Sequence, residues 1–313
     1  MTGDPKVRTL LGDIEPAALG VTDSHDHLFF ASKLLPGEEL DSTEAAMEQL
    51  LTFRGAGGSA VVQWTPFGLG RRTRELAQLS REAGVHVVAA TGLHRAAHYA
   101  PAFLHQVADD LVRLFVADLV EGTGPADLPE DLRMRQHRAG LIKVAGAFHA
   151  IDAHARTTLT AAAVAHEETG APIAVHLEHG TAGPEIAELL CGTLGVPADR
   201  VILGHLNRHP DPRIQREIAG TGVFLAFDGP SLANRATDWR LADCLEALVG
   251  AGHGGQLLLG GDTTTAAARR EPGGLPYLLT TLAPRLTKLL GGDVVTAMLV
   301  ANPARAFATS WRG

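Results

Sequence analysis

The chain has little of what marks secreted or membrane-bound proteins. Its 313 residues include only two cysteines, Cys191 and Cys244, which excludes a disulfide framework and favours a reducing compartment. The first residues lack the apolar run of a signal peptide, and no stretch approaches the roughly 18 consecutive apolar residues that span a membrane. We therefore expect a cytoplasmic protein that has no membrane partner.

Excess positive charge is also missing. The formal net charge is −8, so the chain has no electrostatic footprint for nucleic acid, and we expect a small-molecule substrate instead. Aromatic residues make up 5% of the chain, whereas apolar residues make up 45% and charged residues 20%, which is an ordinary globular composition. The length allows one large domain or two ordinary ones.

Short β-branched runs alternate with longer amphipathic segments along the whole chain. The predicted strands are 21–25, 59–64, 86–91, 141–145, 172–177, 201–205, 223–228 and 256–262. The predicted helices are 43–54, 71–83, 103–120, 155–169, 183–194, 211–219, 239–250, 275–290 and 293–308. Eight strand–helix units predict an α/β fold, a (β/α)8 TIM barrel that forms a single domain over residues 1–313 with an extra C-terminal helix. A doubly wound open sheet is the alternative, but the first run lacks its glycine-rich phosphate turn.

Polar residues lie in or at the end of several predicted strands, where the active site of such a barrel is built. These are His25, His27, Lys143, His176, His205 and Asp262. Taken singly, each has an ordinary structural alternative: a hydrogen-bonded core histidine, an edge lysine, or an aspartate that caps a helix. His94, His98, His149, His154, His179 and His209 are predicted to have structural or surface roles.

Together the six residues exceed what one metal ion needs, and two divalent ions fit them. Imidazole and carboxylate ligands favour zinc, with manganese, cobalt or iron as alternatives. A lysine can bridge two metal ions only after its amine has reacted with CO₂, which predicts N6-carboxylysine at Lys143. Asp262 is then placed to accept a proton, so Asp262 and Lys143 are the predicted catalytic residues.

The ordered set of motifs resembles the phosphotriesterase family of the amidohydrolase superfamily. The matching segments, in order, are 20–28, 138–145, 169–176, 200–205, 257–262 and 302–307. The resemblance implies that His25, His27 and Asp262 bind the more buried metal ion and that His176 and His205 bind the more exposed one. Carboxylated Lys143 and a hydroxide would bridge the two ions. Relatives often form homodimers, so a homodimer is also expected.

The loop after His205 departs from the paraoxon-hydrolysing members, because it lacks their several aspartates. It is closer to the uncharacterised and sugar-lactone-phosphate branches, which implies hydrolysis of a lactone, with phosphotriester cleavage as a side activity. Arg208 is expected to bind an anionic group of the substrate, although an outward-facing loop arginine is the alternative. Asp228 matches a family position near the substrate. An amide hydrolase, a deaminase and a non-catalytic barrel remain alternatives.

Overall fold

The strands account for two sheets, one of which was not expected from the sequence. The structure is a computed structural model that describes residues 3–124, 136–231, 234–270 and 273–312. The strands are β1 (Lys6–Thr9), β2 (Gly12–Ile14), β3 (Thr22–Asp26), β4 (Ala60–Gln63), β5 (His86–Thr91), β6 (Leu141–Ala145), β7 (Ile173–His176), β8 (Val201–Gly204), β9 (Phe224–Asp228), β10 (Leu257–Gly260) and β11 (Ala308–Thr309). Each of the eight predicted strands is found, as β3 to β10.

β3 to β10 are parallel, and every strand lies beside its neighbour in sequence. This sequential order, with helices around it, is that of a nearly closed (β/α)8 barrel, which confirms the predicted fold class. A doubly wound sheet would have broken the order with a crossover, so that alternative is wrong.

The helices surround the barrel. They are α1 (Thr43–Gly55), α2 (Thr73–Ala83), α3 (Pro101–Val107), α4 (Leu111–Val120), α5 (Ala153–Thr169), α6 (Gly183–Ala187), α7 (Pro212–Gly220), α8 (Arg235–Asp238), α9 (Leu241–Gly250), α10 (Ala266–Arg270), α11 (Leu275–Tyr277), α12 (Ala283–Leu290), α13 (Gly292–Thr296) and α14 (Asn302–Ala306). Several predicted helices are interrupted. The helix predicted over 103–120 is broken by a tighter 3-10 turn at Ala108–Asp110, and wider turns separate α11 from α12 and α13 from α14.

The small antiparallel sheet consists of β11, β1 and β2. It corrects the prediction that the last helix reaches residue 308, because the helix ends at Ala306 and Ala308 pairs with Val7 of β1. Val7 also packs with Leu141 and Ile202 in the inner core, so this sheet covers the N-terminal end of the barrel. The opposite end, where the polar residues lie, is left open for a site.

His166 on α5 provides a test of the packing outside the barrel. Its Nδ1–H donates to Ala171 O at 2.7 Å, and burial lowers the pKa of His166 below its ordinary value. In the unfolded chain the neutral His166 ring takes up a second proton near pH 6.5. In the folded chain burial of the ring opposes this protonation, so it occurs only at lower pH. The stability contributed by neutral His166 is therefore present above about pH 6.5 and is lost as the pH falls towards the folded-state pKa.

We expect the unfolding free energy of a His166→Gln variant to depend less steeply on pH than that of the wild type. Urea unfolding at a series of pH values from about 7 down to about 5 measures the two slopes, over the range in which histidine titrates. Equal slopes would contradict the assignment.

Candidate metal centre

Side-chain alternation turns the predicted site residues towards the barrel axis. In β6, Ile142 and Val144 pack in the outer layer between strands and helices, so Lys143 between them points inward. The same alternation in β7 places Val175 outward and His176 inward. The inward side chains from successive strands therefore meet at the C-terminal end of the barrel.

His25 is held on three sides. Its Nδ1 lies 2.8 Å from Asp228 Oδ1, its Nε2 lies 3.3 Å from Asp262 Oδ1, and its ring stacks on Trp64 at a centroid distance of 3.8 Å. Because a carboxylate oxygen only accepts, Nδ1 carries the hydrogen. Nε2 is the ring nitrogen that faces Asp262.

His27 is oriented in the same way by a hydroxyl group. Thr65 Oγ1 donates to Phe29 O at 2.6 Å, so it accepts from His27 Nδ1 at 2.7 Å. The His27 Nε2 lone pair therefore faces Asp262, with 3.5 Å between Nε2 and Asp262 Oδ1. Burial lowers the pKa of His27 to about 4, so the ring is neutral at physiological pH.

His176 and His205 meet each other directly. His205 Nδ1 donates to Asp228 Oδ2, and His176 Nε2 donates to Glu178 Oε2 at 2.8 Å. Their remaining nitrogens, His205 Nε2 and His176 Nδ1, lie 2.7 Å apart. Burial lowers the pKa of His176 to about 4 and that of His205 well below its usual value. Two neutral rings thus point lone pairs at each other, an arrangement that a proton or a cation between them would stabilise.

These four imidazoles and Asp262 fit a metal centre by the chemistry of their donors. Each ring has one nitrogen held by an acceptor and the other turned towards the site, which is how metal-binding histidines are usually supported. One candidate atom from each of His25, His27 and Asp262 lies within 4.8 Å of the others, and the same holds for His25, His205 and Asp228. The first group is the set expected for the more buried metal ion. The residues present fit zinc, which takes neutral imidazole and carboxylate ligands.

Asp262 is the ligand candidate whose negatively charged form is favoured most strongly by its surroundings. Burial acts to raise its pKa, but the positive charge of the Arg208 guanidinium holds the pKa of Asp262 well below its usual range. Arg208 Nη2 donates to Asp262 Oδ2 and lies 3.9 Å from Asp228 Oδ2. Arg208 therefore points into the site rather than outward, while its expected contact with substrate stays a prediction.

Lys143 is buried among these residues, with 2% of its surface exposed. Burial lowers the pKa of Lys143 to about 7, and the nearby Arg95 guanidinium acts in the same direction, whereas Asp262 opposes the shift. A large share of the side chain is therefore a neutral amine near pH 7. The neutral amine is the form that can react with CO₂.

Two of the ligand candidates have unusual backbone conformations. His205 follows β8 with φ of 66°, and Asp262 follows β10 with φ of 51°. Non-glycine residues rarely adopt such angles, and they cluster at functional sites where the surrounding structure holds them.

Asp228 lies beneath the imidazoles and not at the open end. It is 1% exposed, and its two oxygens accept from His25 and His205. The structure thus gives it partners that the sequence comparison did not indicate, because strand position alone does not show where a carboxylate points. Its expected place near the substrate stays a prediction.

Some residues that support the site were missed. Glu178, which accepts from His176, also pairs with Arg95 Nε at 3.0 Å, and its position two residues after a strand-end histidine was an available signal. His94 and His98 were expected to have structural or surface roles. Their rings stack at a centroid distance of 4.0 Å, and the ring centroid of His94 lies 4.5 Å from that of His176. They therefore form part of the wall around the site.

Comparison with known proteins decides the family. A sequence model of the phosphotriesterase family matches residues 5–307. The chain belongs to the phosphotriesterase family. Membership makes it a metal-dependent hydrolase and confirms the resemblance drawn from its motifs.

Two curated relatives illustrate the range of activities in this family. The chain is 32% identical to the phospho-furanose lactonase of Mycoplasmopsis synoviae, over 96% of this chain and 91% of that protein. It is 26% identical to the N-acetyltaurine hydrolase of Rattus norvegicus, over 95% of this chain and 96% of that protein. Each comparison covers nearly the whole of both proteins.

Solved structures agree in fold. The structure of an amidohydrolase from Mycoplasma synoviae superposes with a TM-score of 0.89 and 30% identity, covering 98% of this chain and 92% of the other. A lactonase from Listeria monocytogenes gives a TM-score of 0.84 and 28% identity, covering 96% of this chain and 98% of the other.

No helix in the described ranges is both long and apolar enough to cross a membrane.

Proposed function

We propose that this phosphotriesterase-family hydrolase opens lactones, and that lactones carrying a phosphate group are its preferred substrates. The observation that carries the proposal is that four imidazoles and the ionised Asp262 carboxylate meet at the C-terminal end of the barrel, where Lys143 is also buried. The name of the Mycoplasmopsis synoviae relative supports the substrate class. A cytoplasmic location is proposed together with this substrate.

The proposed metal ligands are His25, His27 and Asp262 for one divalent ion and His176 and His205 for a second. Lys143, as N6-carboxylysine, would be shared between the two ions. Zinc fits this ligand set best. When bound, the two ions would activate water and polarise the carbonyl oxygen of the substrate.

The side chains of the protein have separate tasks in this reaction. Asp262 accepts the proton that water releases as its oxygen attacks the lactone carbonyl carbon. The ring C–O bond then breaks, and the leaving ring oxygen takes this proton from Asp262 to become a hydroxyl group. Asp228 keeps His25 and His205 in one tautomer and orientation, since each of its oxygens accepts from one ring. Arg208 places a positive charge at the same end of the barrel.

A panel of substrates tests the proposal. We expect hydrolysis of γ- and δ-lactones, faster hydrolysis of their phosphorylated analogues, and weak cleavage of phosphotriesters. Amide hydrolysis is the second candidate, because the Rattus norvegicus relative is named an N-acetyltaurine hydrolase. Faster turnover of N-acetyl amino sulfonates than of any lactone would replace the proposal with this candidate.

Arg208→Ala is expected to weaken binding of acidic lactones selectively. A charge-assisted hydrogen bond contributes about 1.5–3 kcal/mol, which corresponds to a rise in KM of about 10- to 150-fold for a phosphorylated lactone. KM for the neutral lactone with the same ring should change little. Steady-state kinetics on such a matched pair measures the difference.

Arg213→Ala is the control for this change, because Arg213 lies in the same segment but is exposed and pairs with Asp211. It should leave both KM values unchanged. An equal effect of Arg208→Ala on neutral and acidic lactones would remove Arg208 from substrate recognition.

We further propose that residues 1–313 act as one domain, and that the protein binds neither nucleic acid nor membranes. A homodimer is proposed as its state in solution. Light scattering coupled to size-exclusion chromatography measures the mass, and a value of one chain at micromolar concentration would contradict the dimer.

A further inference from the structure

The barrel has one seam at which the usual strand pairing is missing. Each strand from β3 to β10 is joined to its neighbour in sequence by a parallel ladder, but no ladder in the described part of the chain joins β10 to β3. Across this seam the backbone contributes a hydrogen bond from Asp262 N–H to His25 O, at 2.9 Å. The seam matters because His25 and His27 lie on one side of it and Asp262 lies on the other.

Two buried carboxylates bridge this seam. Asp23 Oδ1 accepts from the backbone N–H groups of His25 at 3.1 Å and Gly261 at 3.2 Å. Asp26 Oδ1 accepts from the backbone N–H groups of His27 at 2.7 Å and Thr263 at 2.9 Å. Both aspartates are fully buried.

These hydrogen bonds fix the two segments relative to each other. Each carboxylate holds one amide of the His25–His27 segment and one amide of the segment that carries Asp262. The two amides held on the second segment belong to Gly261 and Thr263, the residues immediately before and after Asp262. Asp262 itself adopts a φ of 51°, so the bonds on both sides of it secure an uncommon conformation.

Two glycines make room for this arrangement. A Cβ at Gly261 would lie 2.2 Å from Asp26 Oδ2, and a Cβ at Gly260 would lie 2.6 Å from His25 O. A real Cβ essentially never lies this close to an oxygen atom. The approach of β10 to the backbone of His25 therefore requires glycine at position 260, and the position of the Asp26 carboxylate requires glycine at position 261. The close approach therefore depends on the sequence of the segment that carries Asp262.

We propose that Asp23 and Asp26 are positioning residues that set Asp262 against His25 and His27. They act through the backbone amides next to these residues and do not touch the substrate. The inference rests on the proposed metal site, because its consequence is a change in metal affinity. Partners that orient a metal ligand typically contribute 10- to 100-fold to affinity, which sets the expected size of the effect.

The test compares variants of the full-length protein by equilibrium zinc competition against a chelator. We expect Asp26→Ala to weaken the affinity of at least one zinc ion by about 10- to 100-fold. Gly261→Ala should do the same, since the added methyl group displaces the Asp26 carboxylate. Asp26→Asn should bind like the wild type, because its amide oxygen can still accept from the N–H groups of His27 and Thr263.

Asp13→Ala is the control. Asp13 accepts two hydrogen bonds from Arg8 in the small sheet at the opposite end of the barrel, so its loss should lower stability without changing zinc affinity. If Asp26→Ala alone does not fold, Asp26→Ala combined with Gly261→Ala takes its place, because the new methyl group fills the space that the carboxylate leaves.

A folded Asp26→Ala protein with wild-type zinc affinity would overturn the proposal, as would an Asp26→Asn protein as weak as Asp26→Ala. Hydrogen exchange of residues 257–263 gives a second readout that needs no metal, and faster exchange is expected in Asp26→Ala but not in Asp13→Ala. A wild type that binds no zinc would defeat the proposed function. The role of the aspartates would still stand in that case, unless hydrogen exchange of residues 257–263 were also the same in Asp26→Ala as in the wild type.

Discussion

Replacing Lys143 with alanine is expected to lower the metal content below two ions per chain and to reduce lactone hydrolysis by more than about 100-fold. Loss of a supporting partner alone costs about 10- to 100-fold, and Lys143 is proposed as a ligand itself. Its position explains the effect. The side chain is buried, points to the barrel axis and has a pKa of about 7, so its amine is available to attack CO₂ and form the carbamate.

Lys288→Ala is the matched control for this prediction, since Lys288 is exposed on α12, outside the barrel. It should retain full metal content and activity. Metal content is measured by inductively coupled plasma mass spectrometry, and a mass increase of one CO₂ in the native wild-type protein identifies the carbamate. A Lys143→Ala protein that keeps two metal ions and full activity would show that Lys143 is not a ligand.

Replacing Asp262 with asparagine is expected to lower kcat by about 10²- to 10⁴-fold, the usual contribution of a general base. Asparagine keeps the size of the side chain and one acceptor oxygen, but it cannot take a proton from water at neutral pH. The effect should fall on kcat more than on KM, because the proton moves in the transition state. Steady-state kinetics with a neutral lactone measures both constants.

Asp238→Asn is the control for the Asp262 variant. Asp238 lies at the same end of the barrel and accepts from Ser231 N at 2.8 Å and Asn207 Nδ2 at 2.9 Å, without being part of the group of imidazoles. Its replacement should cost far less activity. If Asp262→Asn holds its metal and turns over at the wild-type rate, the proton acceptor must be another group.

The barrel was predictable because its strands carry strong local signals. Runs such as Leu141-Ile-Lys-Val-Ala145 are apolar on both faces, as strands between a packed interior and a layer of helices must be. The small sheet of β1, β2 and β11 was not predictable in this way. Its strands have two to four residues and are stabilised by pairing between the two ends of the chain.

The identity of the site residues followed from strand position, whereas their partners did not. That His25, Lys143 and His176 lie close together follows from alternation and from the common end of parallel strands. The directions of the Asp228 and Arg208 side chains depend on the loops and on the left-handed backbone conformation of His205, which no short sequence pattern predicts. The hydrogen bonds that Asp26 accepts across the seam were missed, because strand position alone does not show which backbone N–H groups a buried carboxylate contacts.

The most direct test of the account is the metal content of the purified wild-type protein, determined together with its lactonase activity before and after treatment with a chelator. The account predicts two divalent ions per chain, loss of activity when they are removed, and recovery when zinc is returned. A protein that hydrolyses lactones at full rate without bound metal would contradict it.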